Sequence, residues 1–365
     1  MDRIRTFCGL NMQAERFDMQ EGGGEKILVI GPSWVGDMVM AQSLFMVLRK
    51  YNTDCRIIVV APDWSLPLID RMPEIEGHLE YGFKHGELNL ARRMSVGKSI
   101  QAQNFSKTIV LPNSFKAALV PFHARIPVRI GCQGEFRRLL LTDCRKLDAA
   151  RFPLMVQRFV ALGLPRFDLP PVDIPFPRLI TKGSQVSEAL EQLDLAQSEM
   201  ILAICPGAEF GGAKQWPEEH FARLCSVVIA KGWQVWIFGS ANDTEVAKAI
   251  VGRIPEDKRE ACTDLTGRTS LAQAIDLMSV VTAVVSNDSG LMHIAAALQK
   301  PVVTLYGSSS PDFTPPLADR VKLIVNKIEC SPCFKRKCPL GHLRCLTEIS
   351  AERVLLALHE LLEAE

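Results

Sequence analysis

The residues best suited to chemistry stand where short apolar runs give way to polar loops. The first such run, ILVIG at 27–31, leads into GPSWVGDM at 31–38. Gly31 and Gly36 are spaced as in a phosphate-binding P-loop, but Asp37 and Met38 occupy the places where that loop needs Lys and Ser or Thr. The spacing is also wrong for the GxGxxG dinucleotide fingerprint. A carboxylate here repels phosphate, so Asp37 reads as an acid at the carboxyl end of a sheet, the ligand-binding edge of open α/β sheets. Its chemistry would be general-base catalysis. A competing reading makes it only a helix cap that complements the macrodipole.

Three loops in the second half point to an anion and a sugar. CPGAEFGGAKQWP at 205–217 leaves an apolar run, passes through glycines including Gly207, and presents Lys214. Glycines let backbone N–H groups approach a ligand, and a lysine places a point charge on a phosphate. SNDSGLMH at 286–293 opens a helix at Gly290, a ready anion site, with Ser289, Leu291 and His293 around it, although Asn287, Asp288 and Ser289 also read as ordinary caps and His293 reads more readily as a packed helix histidine. Asp288 would oppose a diphosphate and is better suited to a hydroxyl. Asp243 in IFGSANDTE follows another run, where an acid commonly takes ribose hydroxyls or caps a helix.

Two clusters remain. Residues 125–158 carry eight basic side chains against three acidic ones. Such a run is usually a solvated face, and here it is the candidate for docking an anionic acceptor or an acidic lipid surface. Cys330, Cys333, Cys338 and Cys345, with His342 nearby, could supply tetrahedral zinc ligands, but the second pair lacks CxxC spacing. Reduced structural thiols are expected there, and no metal.

The elements that must position these loops alternate along 365 residues, a length that predicts about two domains. Runs apolar on both faces (RIIVVA, KTIVLP, ILAIC, TAVVSN, PVVTLYG) are separated by amphipathic stretches, which predicts parallel sheets covered by helices. Five prolines between Pro165 and Pro177 mark a linker. The expected organisation is a flexible extension (1–25), a first α/β domain (26–175), a second (176–349), and an amphipathic C-terminal helix (350–365) capped by Ser350 and packing back across the linker. A formal charge of +1 gives no global field for nucleic acid. The apolar runs are too short to span a bilayer, and no signal-peptide core is visible, so a cytoplasmic protein is expected.

Taken together, KILVIGPSWVGDMVMAQSL, LPNSFKAALVPF, CPGAEFGGAKQWP, SNDSGLMHIAAAL and YGSSSPDFTPPL resemble the bacterial ADP-heptose:lipopolysaccharide heptosyltransferases of glycosyltransferase family 9. The resemblance runs from about Lys26 to the C-terminus. It implies a GT-B fold, two Rossmann-like α/β domains facing across a cleft, with the acceptor on the first and ADP-L-glycero-β-D-manno-heptose on the second. It implies direct displacement with inversion, Asp37 as general base, Lys214 on the diphosphate, and Asp288 facing heptose hydroxyls. Ser289, Gly290, Leu291 and His293 would hold phosphate. Asp243 would take the ribose, Thr269 would lie near the adenine, and Gly207 would border the donor.

Lys116, Arg129, Arg137 and Arg138 would face a lipopolysaccharide inner-core acceptor already bearing one heptose. No cofactor is required on this reading, and the enzyme would work peripherally on the cytoplasmic face of the inner membrane. The same donor with another acceptor, or a non-catalytic sugar-nucleotide-binding protein, are the alternatives. A dehydrogenase is disfavoured by the missing fingerprint. Ser308 follows Gly307 where the family pattern leads one to expect proline.

Overall fold

The computed structural model describes residues 24–80, 87–166, 170–196 and 198–363. Each half of the chain builds one fully parallel six-stranded sheet. The first joins β1 (Lys26–Ile30), β2 (Arg56–Ala61), β3 (Gly77–Glu80), β4 (Lys107–Val110), β5 (Val128–Cys132) and β6 (Asp143–Arg145) in the order β3-β2-β1-β4-β5-β6. The second joins β7 (Ile201–Cys205), β8 (Gln234–Ile237), β9 (Cys262–Asp264), β10 (Ala283–Asn287), β11 (Val302–Tyr306) and β12 (Val321–Val325) in the order β12-β11-β10-β7-β8-β9. Counted within its own half, the second sheet repeats the order of the first. Each therefore has a switch point, between β1 and β4 and between β7 and β10, and the crevice outside the carboxyl ends of such strands is where open α/β sheets bind ligands.

The central strands are buried because their β-branched residues pack on both faces: Val29 aligns with Val59 and Ile109, and Val285 with Ile204 and Val303. The N-terminal segment expected to be flexible lies outside the described residues except for Gly24 and Glu25. Glu25 is tied down by Lys107 at 2.9 Å and accepts from the Arg56 amide at 2.8 Å. At the other end, Ser350 Oγ accepts from the Arg353 amide at 3.3 Å and opens the helix Ala351–Glu363. That helix packs on the second lobe, against helix Glu218–Ile229 and strands β11 and β12. Its apolar stripe, Val354, Leu358 and Leu361, joins the core of the second lobe with Phe221, Leu224 and Ile324, because that stripe completes the outer face of the second sheet.

The lobes meet along helix Val35–Tyr51 and helix Gly290–Ala297. Contact is so close that a Cβ on Gly36 would stand 2.5 Å from His293 Cδ2, and one on Gly290 would stand 2.6 Å from Val35 Cβ. These two glycines allow the two helix N-termini to face each other. A buried ion pair fixes the lobes laterally: Arg71 of the first meets Asp276 of the second through three hydrogen bonds of 2.6–3.2 Å. The Gln42 amide secures the linker, donating to Arg178 O at 2.6 Å and accepting from Arg178 N at 2.9 Å.

Arg71→Ala is expected to destabilise the protein by about 3–5 kcal/mol, because Asp276 is left charged and buried. Arg71→Met with Asp276→Leu should recover most of that loss. Urea unfolding of the three proteins checks both; an unchanged midpoint in the single variant would refute the assigned role.

Candidate active site

A cleft of ≈ 830 Å³ opens between the lobes at the carboxyl ends of both sheets. Asp37 lines it from the first lobe; Gly207, Lys214, Asp243, Thr269, Asp288, Ser289, Gly290, Leu291 and His293 line it from the second. All ten residues singled out for catalysis or donor binding thus share one cavity. None of Lys116, Arg129, Arg137 and Arg138 is in its wall.

Asp37 sits in the first turn of helix Val35–Tyr51, whose N-cap is Trp34 with no side-chain cap bond. Its carboxylate takes no hydrogen bond among the described residues, so it is not the cap. A helix N-terminus favours the ionised carboxylate, yet burial dominates and pushes the Asp37 pKa up to about 6. Lys214 across the cleft lowers it and Asp288 raises it further, so the three charges sense one another. A carboxylate that titrates near neutrality, without a protein partner, and opens on a cleft is suited to accept a proton.

On the facing wall, Lys214 Nζ lies 2.6 Å from Asp288 Oδ2, and Ser309 Oγ donates to the same carboxylate oxygen. Lys214 also stands 5.0 Å above the Phe210 ring. Asp288 is buried but doubly paired, which is why it can persist at the foot of helix Gly290–Ala297. Asn287 braces the floor, accepting from the Trp216 amide at 3.1 Å and donating to Pro206 O at 2.6 Å. The loops after β7 and β10 are thereby locked together across the switch point.

His293 is buried behind Gly36, and desolvation lowers its pKa to about 4. It is therefore a neutral imidazole with one N–H to donate. Asp243 Oδ2 accepts from both the amide and the hydroxyl of Ser240 at 2.8 Å, closing its own turn, and leaves Oδ1 unspent. A Cβ at Gly207 would stand 2.4 Å from this carboxylate, so glycine is what lets the β7 loop lie against Asp243.

The basic cluster behaves otherwise. Arg137 is wholly buried, donating to Cys132 O at 2.7 Å, to Asn113 Oδ1 at 3.1 Å and to Pro112 O. Arg129 donates to Leu140 O at 2.6 Å and Ile126 O at 2.5 Å. Both guanidiniums donate to acceptors within their own lobe, Arg137 from full burial and Arg129 from partial exposure. Lys116, partly buried, and Arg138, exposed, remain available.

Residues not anticipated complete the cleft: Trp34, Trp64, Phe210, Phe313 and Phe334 give it aromatic walls, and Ser309 holds Asp288. The GPSW and SSSP wording placed Trp34 and Ser309 beside known loops, the one signal that could have found them.

Among the described residues, no helix is long and apolar enough to cross a membrane. The family model for glycosyltransferase family 9 (heptosyltransferase) matches residues 93–344. The chain is 44% identical over 346 residues to lipopolysaccharide heptosyltransferase 2 of Salmonella typhimurium, covering 93% of this chain and 99% of that one. It is 44% identical over 345 residues to lipooligosaccharide heptosyltransferase 2 of Haemophilus influenzae, covering 92% and 99%. The solved structure of E. coli ADP-heptose lps heptosyltransferase II superposes with a TM-score of 0.83 at 42% identity, covering 93% of this chain and 98% of that chain. The two facing sheets are the two Rossmann-like domains of the GT-B architecture. By motif order, fold and near full-length identity, the chain belongs to glycosyltransferase family 9, the heptosyltransferases.

Proposed function

We propose that the chain transfers L-glycero-D-manno-heptose from ADP-heptose to the first heptose of the lipopolysaccharide inner core, by direct displacement with inversion. The observation that carries this reading is a single unpartnered carboxylate, Asp37, facing a lysine-and-helix anion site across one cleft. The names of the similar proteins support the donor and acceptor classes.

The donor rests on the second lobe. Its diphosphate lies between Lys214, the N–H groups opening at Gly290 and the His293 N–H; the heptose hydroxyls meet Asp288; Asp243 takes the ribose; Thr269 borders the adenine. The acceptor hydroxyl approaches from the first lobe. As its oxygen bonds to the anomeric carbon, its proton passes to Asp37 and the bond to ADP breaks on the opposite face. Lys214 and the helix N-terminus stabilise the charge that collects on departing ADP, so this reading requires no cofactor. The acceptor enters past the loop at 133–140, where Arg138 lies between the exposed Phe136 and Leu139. Those apolar tips with a cation between them suit a protein that meets its lipid-anchored acceptor at the anionic cytoplasmic face of the inner membrane.

Incubation with ADP-heptose and core acceptors bearing zero, one or two heptoses, read by mass spectrometry, tests the assignment. Addition of one heptose to the mono-heptosylated acceptor is expected. Product on the heptose-free core alone would overturn the acceptor, and no product on any would overturn the activity.

A further inference from the structure

Beside the cleft, all four cysteines of the 330–345 segment line one small, partly open cavity of ≈ 20 Å³, together with Ala213, Gly307, Ser308 and the 339–343 turn. That is the space of a single water or ion. Water is poorly suited to it, since it needs two to four polar partners and the walls are mostly sulfur and carbon. We propose that this cavity is a structural metal centre in which Cys330, Cys333, Cys338 and Cys345 bind one soft cation, zinc or iron, as thiolates.

Two features of the cavity wall bear on the ligand set. The Ser308 hydroxyl, buried in the cavity wall, has no hydrogen-bond partner. A thiolate drawn inward would accept from it. His342 lines the same cavity, but its Nδ1 already accepts from the Arg344 amide at 3.0 Å. The neutral ring then carries its proton on Nε2 and has no lone pair left for a metal, so the ligand set is four sulfurs.

As they stand, no three Cys, His, Asp or Glu side chains among the described residues are gathered to hold a metal ion. Ligation therefore requires the thiols to converge: Cys330, Cys333 and Cys338 are on loop backbone and only partly buried, and Cys345, held in the core of the second lobe, is the fixed point about which they would gather. Each thiol gives up its proton to solvent as its bond to the cation forms, with no change in oxidation state.

The segment is fastened to the donor-binding loops. Phe334 N donates to Ser308 O at 2.6 Å, Ser331 Oγ to Gly307 O at 2.8 Å, and Ala213 N to Arg336 O at 3.1 Å. Arg336 stacks 5.4 Å from the Phe210 ring that also faces Lys214. A cation here would stiffen the loops that carry Lys214 and Ser309 without touching the substrate.

Elemental analysis of the intact chain, purified without added metal or chelator, tests this independently of any transferase activity. About one equivalent of zinc or iron per chain is expected. Cys338→Ser and Cys345→Ser should each lose most of it, and stripped wild-type protein given Co(II) should develop thiolate-to-cobalt charge-transfer absorption, which serves should either variant fail to fold. Metal-free folded protein whose four thiols are alkylated at the rate of free cysteine, or whose mass shows disulfides within this segment, would overturn the proposal.

Discussion

Asp37→Asn is expected to lower the rate of heptosyl transfer about 10²–10⁴-fold, the usual worth of a general base, with little change in ADP-heptose affinity. The substitution keeps size and shape but removes the proposed proton acceptor, and on that reading the donor is held by the other lobe. The same change should stabilise the fold. Burial raises the Asp37 pKa from 3.8 to about 6, so the folded state holds this proton more tightly than the unfolded chain does. The associated stability is present below the unfolded pKa and is lost as pH rises through about 6. At pH 8 the ionised carboxylate costs at most about 3 kcal/mol, less in proportion to the solvent that enters the cleft. Asp37→Asn should therefore unfold at higher urea than wild type at pH 8 and at nearly equal urea at pH 3.5. A variant that is both inactive and less stable at pH 8 would mean that Asp37 serves structure.

Lys214→Ala is expected to cost about 10²–10³-fold in kcat, the range for loss of one group that stabilises developing charge, and, unlike Asp37→Asn, to raise the KM for the donor. On the proposed reading Lys214 meets the diphosphate before and during bond breaking, so both parameters move. Asp288 would keep only Ser309 as a partner in a buried site, which adds a stability loss of about 1–3 kcal/mol. Because Lys214 holds the Asp37 pKa down, the acidic limb of the residual activity should move to higher pH. Lys214→Arg should not rescue fully, since a planar guanidinium does not replace a compact ammonium. Steady-state kinetics with varied ADP-heptose decide this; an unchanged donor KM would place the diphosphate elsewhere.

Much of this arrangement was legible because it depends on strand ends. Once ILVIG, ILAIC and TAVVSN are read as buried parallel strands, the loops after them must lie on the same edge, and Asp37, Gly207 and Asp288 follow. The arginines were not legible. A guanidinium with five donors looks the same in sequence whether it meets solvent, as Arg138 does, or satisfies three acceptors in a folded loop, as Arg137 does. The C-terminal helix was read correctly as amphipathic, but a stripe of Val354, Leu358 and Leu361 does not say which apolar face it covers. Trp64 and Phe334 join the site only when distant loops close on one cleft, a long-range event with no local pattern.

The most direct test is the pH dependence of kcat/KM for wild type and Asp37→Asn on the mono-heptosylated acceptor, with donor and acceptor groups held at constant ionisation. The wild-type profile should fall on the acid side with a midpoint near the raised pKa of about 6, and the residual activity of the variant should lack that limb. A limb that survives the substitution, or a wild-type profile flat from pH 5 to 7, would contradict Asp37 as the proton acceptor.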